Sequence, residues 1–295
     1  MLIGIIGTGI MGSNLARCLS SKGIKPGLYN RTKSRAEKLA DEIGGTVYES
    51  PHQLLEKVDL AIAFLPDDYA LRDVVRNITR GSASLKNKVF VNASTVTPMA
   101  SIEAMEELGQ IGVEYVEAPV YGSADEARDC KLISMVACSE NILEAINNVL
   151  ELYSSRIFYT GKPPTAAVLK LALNNIGLSI PAIIAESLML LESWGVDIDL
   201  FRKVANSIWF GQVIDRYWAR ITEEKPPRFK VWMAGKDYSY LASALKEKRL
   251  PSMLSDAFAS MYMFASTGGY GDKDYPQIAR YYMELAKKAK SSTNS

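Results

Sequence analysis

The chain opens with MLIGIIGTGIMGSNLARCLSSKG (residues 1–23), and everything else is read outward from this stretch. The apolar run LIGII (2–6) has the length and composition of a buried strand. It passes directly into Gly7, Gly9 and Gly12, spaced G-x-G-x-x-G, and a helical pattern follows from about Met11 to Lys22. The three glycines do different things. The first permits a tight turn, the second lets a pyrophosphate approach the backbone, and the third lets helix pack closely on strand. The helix start then offers free N–H groups and a partial positive charge to the phosphates. The spacing alone is a weak signal. At the head of an alternating domain, between strand and helix, it predicts a dinucleotide site at Gly7, Thr8, Gly9, Ile10, Met11 and Gly12.

The alternation continues. PGLYN (26–30) is a weaker strand before the helix KSRAEKLADEIG (33–44), and TVY (46–48) is a third. DLAIAFL (59–65) and KVFVNAS (88–94) are continuous and apolar, as strands covered on both faces are, and VEYVEAP (113–119) and KLISMVAC (131–138) follow. Strand–helix alternation of this kind predicts an α/β fold: a Rossmann-type, doubly wound, mostly parallel sheet over residues 1–161. After Gly161 no further strand run appears. KPPTAAVLKLALNNIGLSIPAIIAESLMLLESWG (162–195) predicts one long helix, with prolines near its start and Gly195 just past its end. SYLASALKEKRL (239–250) and QIARYYMELAKKAK (277–290) are amphipathic helices, so residues 162–295 are expected to form an all-α domain for substrate and self-association.

The totals narrow the function. The 295 residues carry 34 basic and 33 acidic side chains, a net charge of +1, which argues against a nucleic-acid footprint. Lys287, Lys288 and Lys290 are expected in a solvated tail. Three cysteines, Cys18, Cys130 and Cys138, fit a reducing, cytoplasmic setting better than a disulfide framework, and no Cys/His spacing suggests a metal. A strand that starts at residue 2 leaves no room for a signal peptide. The apolar stretch 165–191 is interrupted by Lys170, Asn174, Asn175, Pro181 and Glu186 and is not expected to span a membrane. His52, the only histidine, sits in the first turn of a surface helix, so proton chemistry must fall to Lys, Tyr, Asp, Glu or Cys.

The second strand ends in Asn30, Arg31 and Thr32, without the carboxylate that would hold a free ribose 2′-hydroxyl and repel a 2′-phosphate. This favours NADP over NAD. Ligands in such sheets bind beyond the carboxyl ends of the strands. Leu65 and Pro66 offer apolar contact for a flat ring, and Ser94 and Thr95 offer hydroxyls. EAPVYGS (117–123) brings Gly122 and neighbouring N–H donors for a carboxylate. Lys170 lies in an otherwise apolar stretch, with Asn174 one turn on along the same face. A lysine in such a setting either snorkels outward or serves as a base with lowered pKa.

With these residues in place the chain resembles the β-hydroxyacid dehydrogenases, a family that includes 3-hydroxyisobutyrate dehydrogenase, L-serine 3-dehydrogenase and glyoxylate/succinic semialdehyde reductase. The resemblance runs through GIIGTGIMGSNLA, NRT, FLPDD, NASTVTP, EAPVYGS, GKPPTAAVLKLALNN and FKVWMAGKDYSYLA. It implies an NADP-dependent oxidoreductase acting on a small 3-hydroxy carboxylate. Lys170 would be general acid/base and Asn174 its orienting partner. Ser94, Tyr121, Gly122 and Ser123 would hold substrate, and Lys236 would reach cofactor and substrate. Tyr121 and Ser123 stand where the family signature D-A-P-V-S-G-G has serine and its last glycine, and Pro164 and Ala166 replace two glycines before the lysine. Imine reductases share the fold but usually replace the lysine. The alternatives are an NADPH-dependent aldehyde, keto-acid or imine reductase, and a non-catalytic NADP-binding module. The long apolar helix leads us to expect a homodimer or homotetramer.

Overall fold

The computed structural model describes residues 1–81 and 85–293. The chain folds into two compact units, residues 1–171 and 172–295.

In the first unit the elements run β1 (Ile3–Ile6), α1 (Ile10–Ser21), β2 (Gly27–Tyr29), α2 (Lys33–Ile43), β3 (Thr46–Val47), α3 (Pro51–Lys57), β4 (Leu60–Ala63), α4 (Asp68–Thr79), β5 (Val89–Asn92), α5 (Pro98–Gly109), β6 (Glu114–Glu117), β7 (Val120–Tyr121), α6 (Ala124–Arg128), β8 (Leu132–Ala137), α7 (Glu140–Leu150) and β9 (Ser154–Gly161). They form one sheet in the order β3-β2-β1-β4-β5-β6-β8-β7, with β9 on β8. Pairing is parallel from β3 through β6 and between β8 and β9; β8 runs antiparallel to both β6 and β7. The doubly wound expectation therefore holds, with a reversal at β8. The strands β7 and β9 are additions that the sequence pattern does not predict. SSRIFYTG (154–161) is only half-buried or exposed, so it lacks the apolar run that marks the central strands.

Side-chain alternation divides the core between the two sheet faces. Ile3, Ile5, Leu60, Ile62, Val89 and Val91 pack with α1 residues Leu15 and Leu19. Ile6, Ala61, Ala63 and Phe90 face Leu54, Leu71 and Leu108 from α3, α4 and α5. Ser50, Asp67 and Thr97 cap α3, α4 and α5 by accepting backbone N–H bonds from Gln53, Ala70 and Ala100. Cys18 and Cys130, expected as free thiols, are joined by a disulfide with Cα atoms 5.5 Å apart, whereas Cys138 is free and buried. Cys18 lies on α1 and Cys130 just past α6, so a pairing across 112 residues depends on tertiary packing that no spacing rule encodes.

The second unit is helical: the body of α8 (Thr165–Trp194), then α9 (Ile198–Ala205), α10 (Gly211–Thr222), α11 (Val231–Glu247), α12 (Met253–Ala265) and α13 (Ile278–Thr293). Helix α8 is long and apolar enough to cross a membrane by length and composition alone. Yet Leu178, Ala182, Ala185 and Leu188 from it form the core of this unit with Tyr217, Trp218, Tyr238, Tyr262 and Ile278. Pro181 lies inside α8 and has no N–H for the Gly177 carbonyl. The Tyr217 hydroxyl donates there instead (3.3 Å), and Tyr238 and Tyr262 donate to the carbonyls of Asn175 (2.8 Å) and Leu178 (2.7 Å). Asp274 ties the far end together: it accepts from Arg220 Nε (2.8 Å) and Nη2 (3.0 Å) and from the N–H groups of Arg228 and Phe229 (3.1 Å each). Lys287, Lys288 and Lys290, expected in a solvated tail, lie in the last turns of α13; residues 294 and 295 are outside the described ones.

Candidate active site

The strand order reverses between β1 and β4, where ligands bind in sheets of this type. The glycine loop fills that position. Gly7 takes φ +92° and gives its N–H to the Tyr29 carbonyl (2.8 Å), while a Cβ on it would meet the Phe64 carbonyl oxygen at 2.2 Å. A Cβ on Gly12 would lie 1.9 Å from the Gly7 carbonyl oxygen, so helix and loop touch backbone to backbone. A Cβ on Gly9 would meet nothing within 4 Å. Helix α1 starts at Ile10 with no side-chain cap, and the buried Thr8 hydroxyl has no hydrogen-bond partner among the described residues. An open space over Gly9, uncapped helical N–H groups and an unused hydroxyl fit a dinucleotide pyrophosphate.

At the end of β2, Asn30 braces the loop rather than reaching outward. Its Oδ1 accepts the Thr8 N–H (3.0 Å) and its Nδ2 donates to the Thr32 carbonyl (2.9 Å). Arg31 and Thr32 are exposed beside it. Burial and the Asp73 charge push the Tyr29 phenol upward, and the neighbouring Arg31 cation opposes them.

The next strand ends are more internally committed than the sequence suggests. Leu65 is half-buried and Pro66 exposed, as apolar contacts require. Ser94, expected to offer its hydroxyl to substrate, is buried: it donates to the Ala63 carbonyl (3.3 Å) and accepts the Leu65 N–H (2.8 Å), pinning the end of β4. Its own N–H is held by Asn92 Oδ1 (3.0 Å). Thr95 is half-buried. Ser123, expected among the carboxylate donors, gives its N–H to Glu126 Oε2 (2.7 Å), and its hydroxyl bonds the same oxygen, opening α6. Gly122 takes φ +137° and is exposed, as is Tyr121.

Lys170, in the second turn of α8, is half-buried, with Nζ 5.2 Å from the centroid of the Tyr121 ring. The helix is not wrapped on all sides as its composition implies: Val168, Leu169, Leu173 and Ile176 are exposed. The structure thus brings Lys170 to the EAPVYGS loop. One turn further, Asn174 is buried and its amide donates to Asp237 Oδ2 (2.7 Å). The other Asp237 oxygen is ion-paired with Lys236 Nζ (3.1 Å), and the Lys236 ammonium stands 4.7 Å from the Tyr240 ring centroid. Asp237 therefore joins Asn174 to Lys236. His52 sits in the first turn of α3, where its Nδ1 lies 2.8 Å from the Ile78 carbonyl.

Sequence reading alone does not single out Glu117. The residue is only 1% exposed at the end of β6. Oε1 bonds the Ser101 hydroxyl, and Oε2 accepts the N–H groups of Ala166 (3.0 Å) and Ala167 (3.2 Å) at the start of α8. Burial pushes its pKa up, and these donors oppose the rise. The signal for it is a charged residue between Val116 and Ala118 in a buried strand.

Residues 2–161 match the NAD binding domain of 6-phosphogluconate dehydrogenase. Glyoxylate/succinic semialdehyde reductase 1 of Arabidopsis thaliana is 29% identical across 94% of this chain and 97% of its own length. Mitochondrial 3-hydroxyisobutyrate dehydrogenase of Drosophila melanogaster is 26% identical across 98% and 90%. Among solved structures, Mycobacterium tuberculosis 3-hydroxyisobutyrate dehydrogenase with L-serine superposes at a TM-score of 0.80, with 20% identity over 95% of this chain and 99% of that one. The chain belongs to the family that carries the NAD binding domain of 6-phosphogluconate dehydrogenase, and within it to the NAD(P)-dependent oxidoreductases of the hydroxyacid dehydrogenase type.

Proposed function

We propose that the protein is an NADP-dependent 3-hydroxy acid dehydrogenase, acting on a small carboxylate of the L-serine or 3-hydroxyisobutyrate kind, with Lys170 as general acid/base. The observation that carries this reading is the Lys170 ammonium set over the Tyr121 ring, beside the loop whose signature binds substrate in the family it resembles. NADP, when bound along the glycine loop, supplies the hydride acceptor or donor. Exposed Arg31 and Thr32 provide a cation and a hydroxyl for a 2′-phosphate, with no carboxylate at the end of β2 to oppose it. As an amine, Lys170 takes the substrate hydroxyl proton; as an ammonium, it returns one to a carbonyl oxygen. In the opposite direction the same pair serves reduction of an aldehyde such as glyoxylate. Tyr121 supplies a hydroxyl for the substrate carboxylate where Ser123 and Ser94 have spent theirs. Asn174, fixed by Asp237, orients the helix face that carries Lys170.

The subunit acts as a homodimer or homotetramer. Support comes from an exposed apolar stripe on α8 that recurs at Ile176, Ile183 and Leu190 and ends at Trp194, which is 80% exposed.

The test is turnover with NADP⁺ plus L-serine or 3-hydroxyisobutyrate, and with NADPH plus glyoxylate, succinic semialdehyde or a cyclic imine. Lys170→Met should lose about 10²–10⁴-fold in kcat while NADPH still binds. Near-normal kcat in that variant refutes the assignment. Activity confined to imines would favour the reductase alternative.

A further inference from the structure

The Lys170–Tyr121 pair joins two chain segments that share one buried tie. Tyr121 lies four residues after Glu117, and Lys170 lies four residues after Ala166, whose N–H the Glu117 carboxylate accepts (3.0 Å). In the helix that separation is one turn, so Lys170 stands directly above the bonded amides of Ala166 and Ala167. These N–H groups belong to the first turn of α8, where the helix itself provides no acceptor, and a carboxylate there also meets the positive end of the dipole.

The tie is anchored from behind. Asn92 Nδ2 donates to the Tyr115 hydroxyl (3.1 Å), the Tyr115 and Ser101 hydroxyls lie 2.7 Å apart, and Ser101 Oγ–H bonds Glu117 Oε1. With the carboxyl ionised, each donor points along one direction toward it, and bonds in such a chain strengthen one another. Asn92, Ser101 and Glu117 are all buried, on β5, α5 and β6, so the carboxylate is held by rigid elements and not by a loop.

We propose that Glu117 is a positioning residue: it fastens the first turn of α8 to the end of β6 and thereby sets the Lys170 amine at its working place over Tyr121. It touches neither substrate nor cofactor. The inference rests on Lys170 being the proton-transfer group, and the test keeps the two claims separable.

Glu117→Gln, Glu117→Asp and Lys170→Met are compared for kcat, KM, NADPH dissociation constant, thermal midpoint and amide exchange at residues 166–170, with glyoxylate and NADPH or L-serine and NADP⁺ as reactants. Displacing a catalytic group by an ångström costs about 100-fold, so Glu117→Gln should lose kcat on that order while KM and the NADPH constant stay within about two-fold. Amides 166 and 167 should exchange faster. Should Glu117→Gln fail to fold, Glu117→Asp keeps the charge one methylene short of those amides and should lose about ten-fold in kcat alone. Wild-type kcat in Glu117→Asp, or a fall in kcat, KM and NADPH binding that only tracks lost folded protein, overturns the positioning role. Full turnover by Lys170→Met overturns the Lys170 assignment and the Glu117 role with it, whereas an inactive Lys170→Met beside a fully active Glu117→Gln overturns the Glu117 role alone.

Discussion

Replacing Gly9 and Gly12 separately by alanine distinguishes a ligand cradle from an ordinary tight turn. A methyl on Gly12 would sit 1.9 Å from the Gly7 carbonyl oxygen. Carbon–oxygen contacts close at about 3.3 Å, so the end of β1 and the start of α1 must part by roughly 1.4 Å. Overpacking of this kind costs about 1–3 kcal/mol. In a unit of this size each kcal/mol lowers the thermal midpoint by roughly 2–4 °C. A methyl on Gly9 meets no protein atom within 4 Å, and the backbone there is extended (φ −72°, ψ −165°), which any residue adopts. Gly9→Ala should therefore leave stability within about 0.5 kcal/mol of wild type. Its methyl instead enters the space assigned to the pyrophosphate, and a loss of at least about 1.4 kcal/mol raises the NADPH dissociation constant ten-fold or more. Thermal melting and fluorescence titration with NADPH read the two effects independently. Wild-type NADPH affinity in Gly9→Ala would show that the open space is not where the cofactor lies.

Three further outcomes are expected. Arg31→Asp should raise the NADPH dissociation constant about 10- to 100-fold, the worth of one or two charge-assisted bonds, with little change for NADH; an unchanged NADPH constant removes the 2′-phosphate contact. In denaturant without reductant the protein should show one thiol, and three after reduction, because Cys18 and Cys130 are bonded. Burial pushes the remaining thiol, Cys138, up to about 11, so it stays protonated at pH 8 and the folded protein should alkylate slowly; rapid labelling contradicts its placement. Asp274→Ala strands the largely buried Arg220 guanidinium and two backbone N–H groups, and should cost about 3–5 kcal/mol in a melting experiment; a midpoint within about 2 °C of wild type would mean the cluster carries little.

The central strands are legible in the sequence because parallel strands covered on both faces are written as unbroken apolar runs: LIGII, DLAIAFL and KVFVNAS contain β1, β4 and β5, buried along their whole length. The glycine spacing is legible because backbone contacts such as Gly12 against Gly7 admit no other residue. The edge strands β7 and β9 are not, since half-exposed strands carry no such run. Which hydroxyl faces a ligand and which braces the fold is also hidden. Ser94, Ser123 and Asn30 have the chemistry of donors to a bound molecule, yet they are occupied by Leu65, Glu126 and Thr8. Residue type sets what a side chain can bond, but only packing decides which partner reaches it first.

The bond between Cys18 and Cys130 closes residues 18–130 into a covalent ring that holds every strand from β2 to β7. A protease that cuts once anywhere inside that ring yields no separate fragments until a reductant opens it. On a gel run without reductant the nicked molecule keeps the full mass of the chain, and it separates into two pieces only when thiol is added.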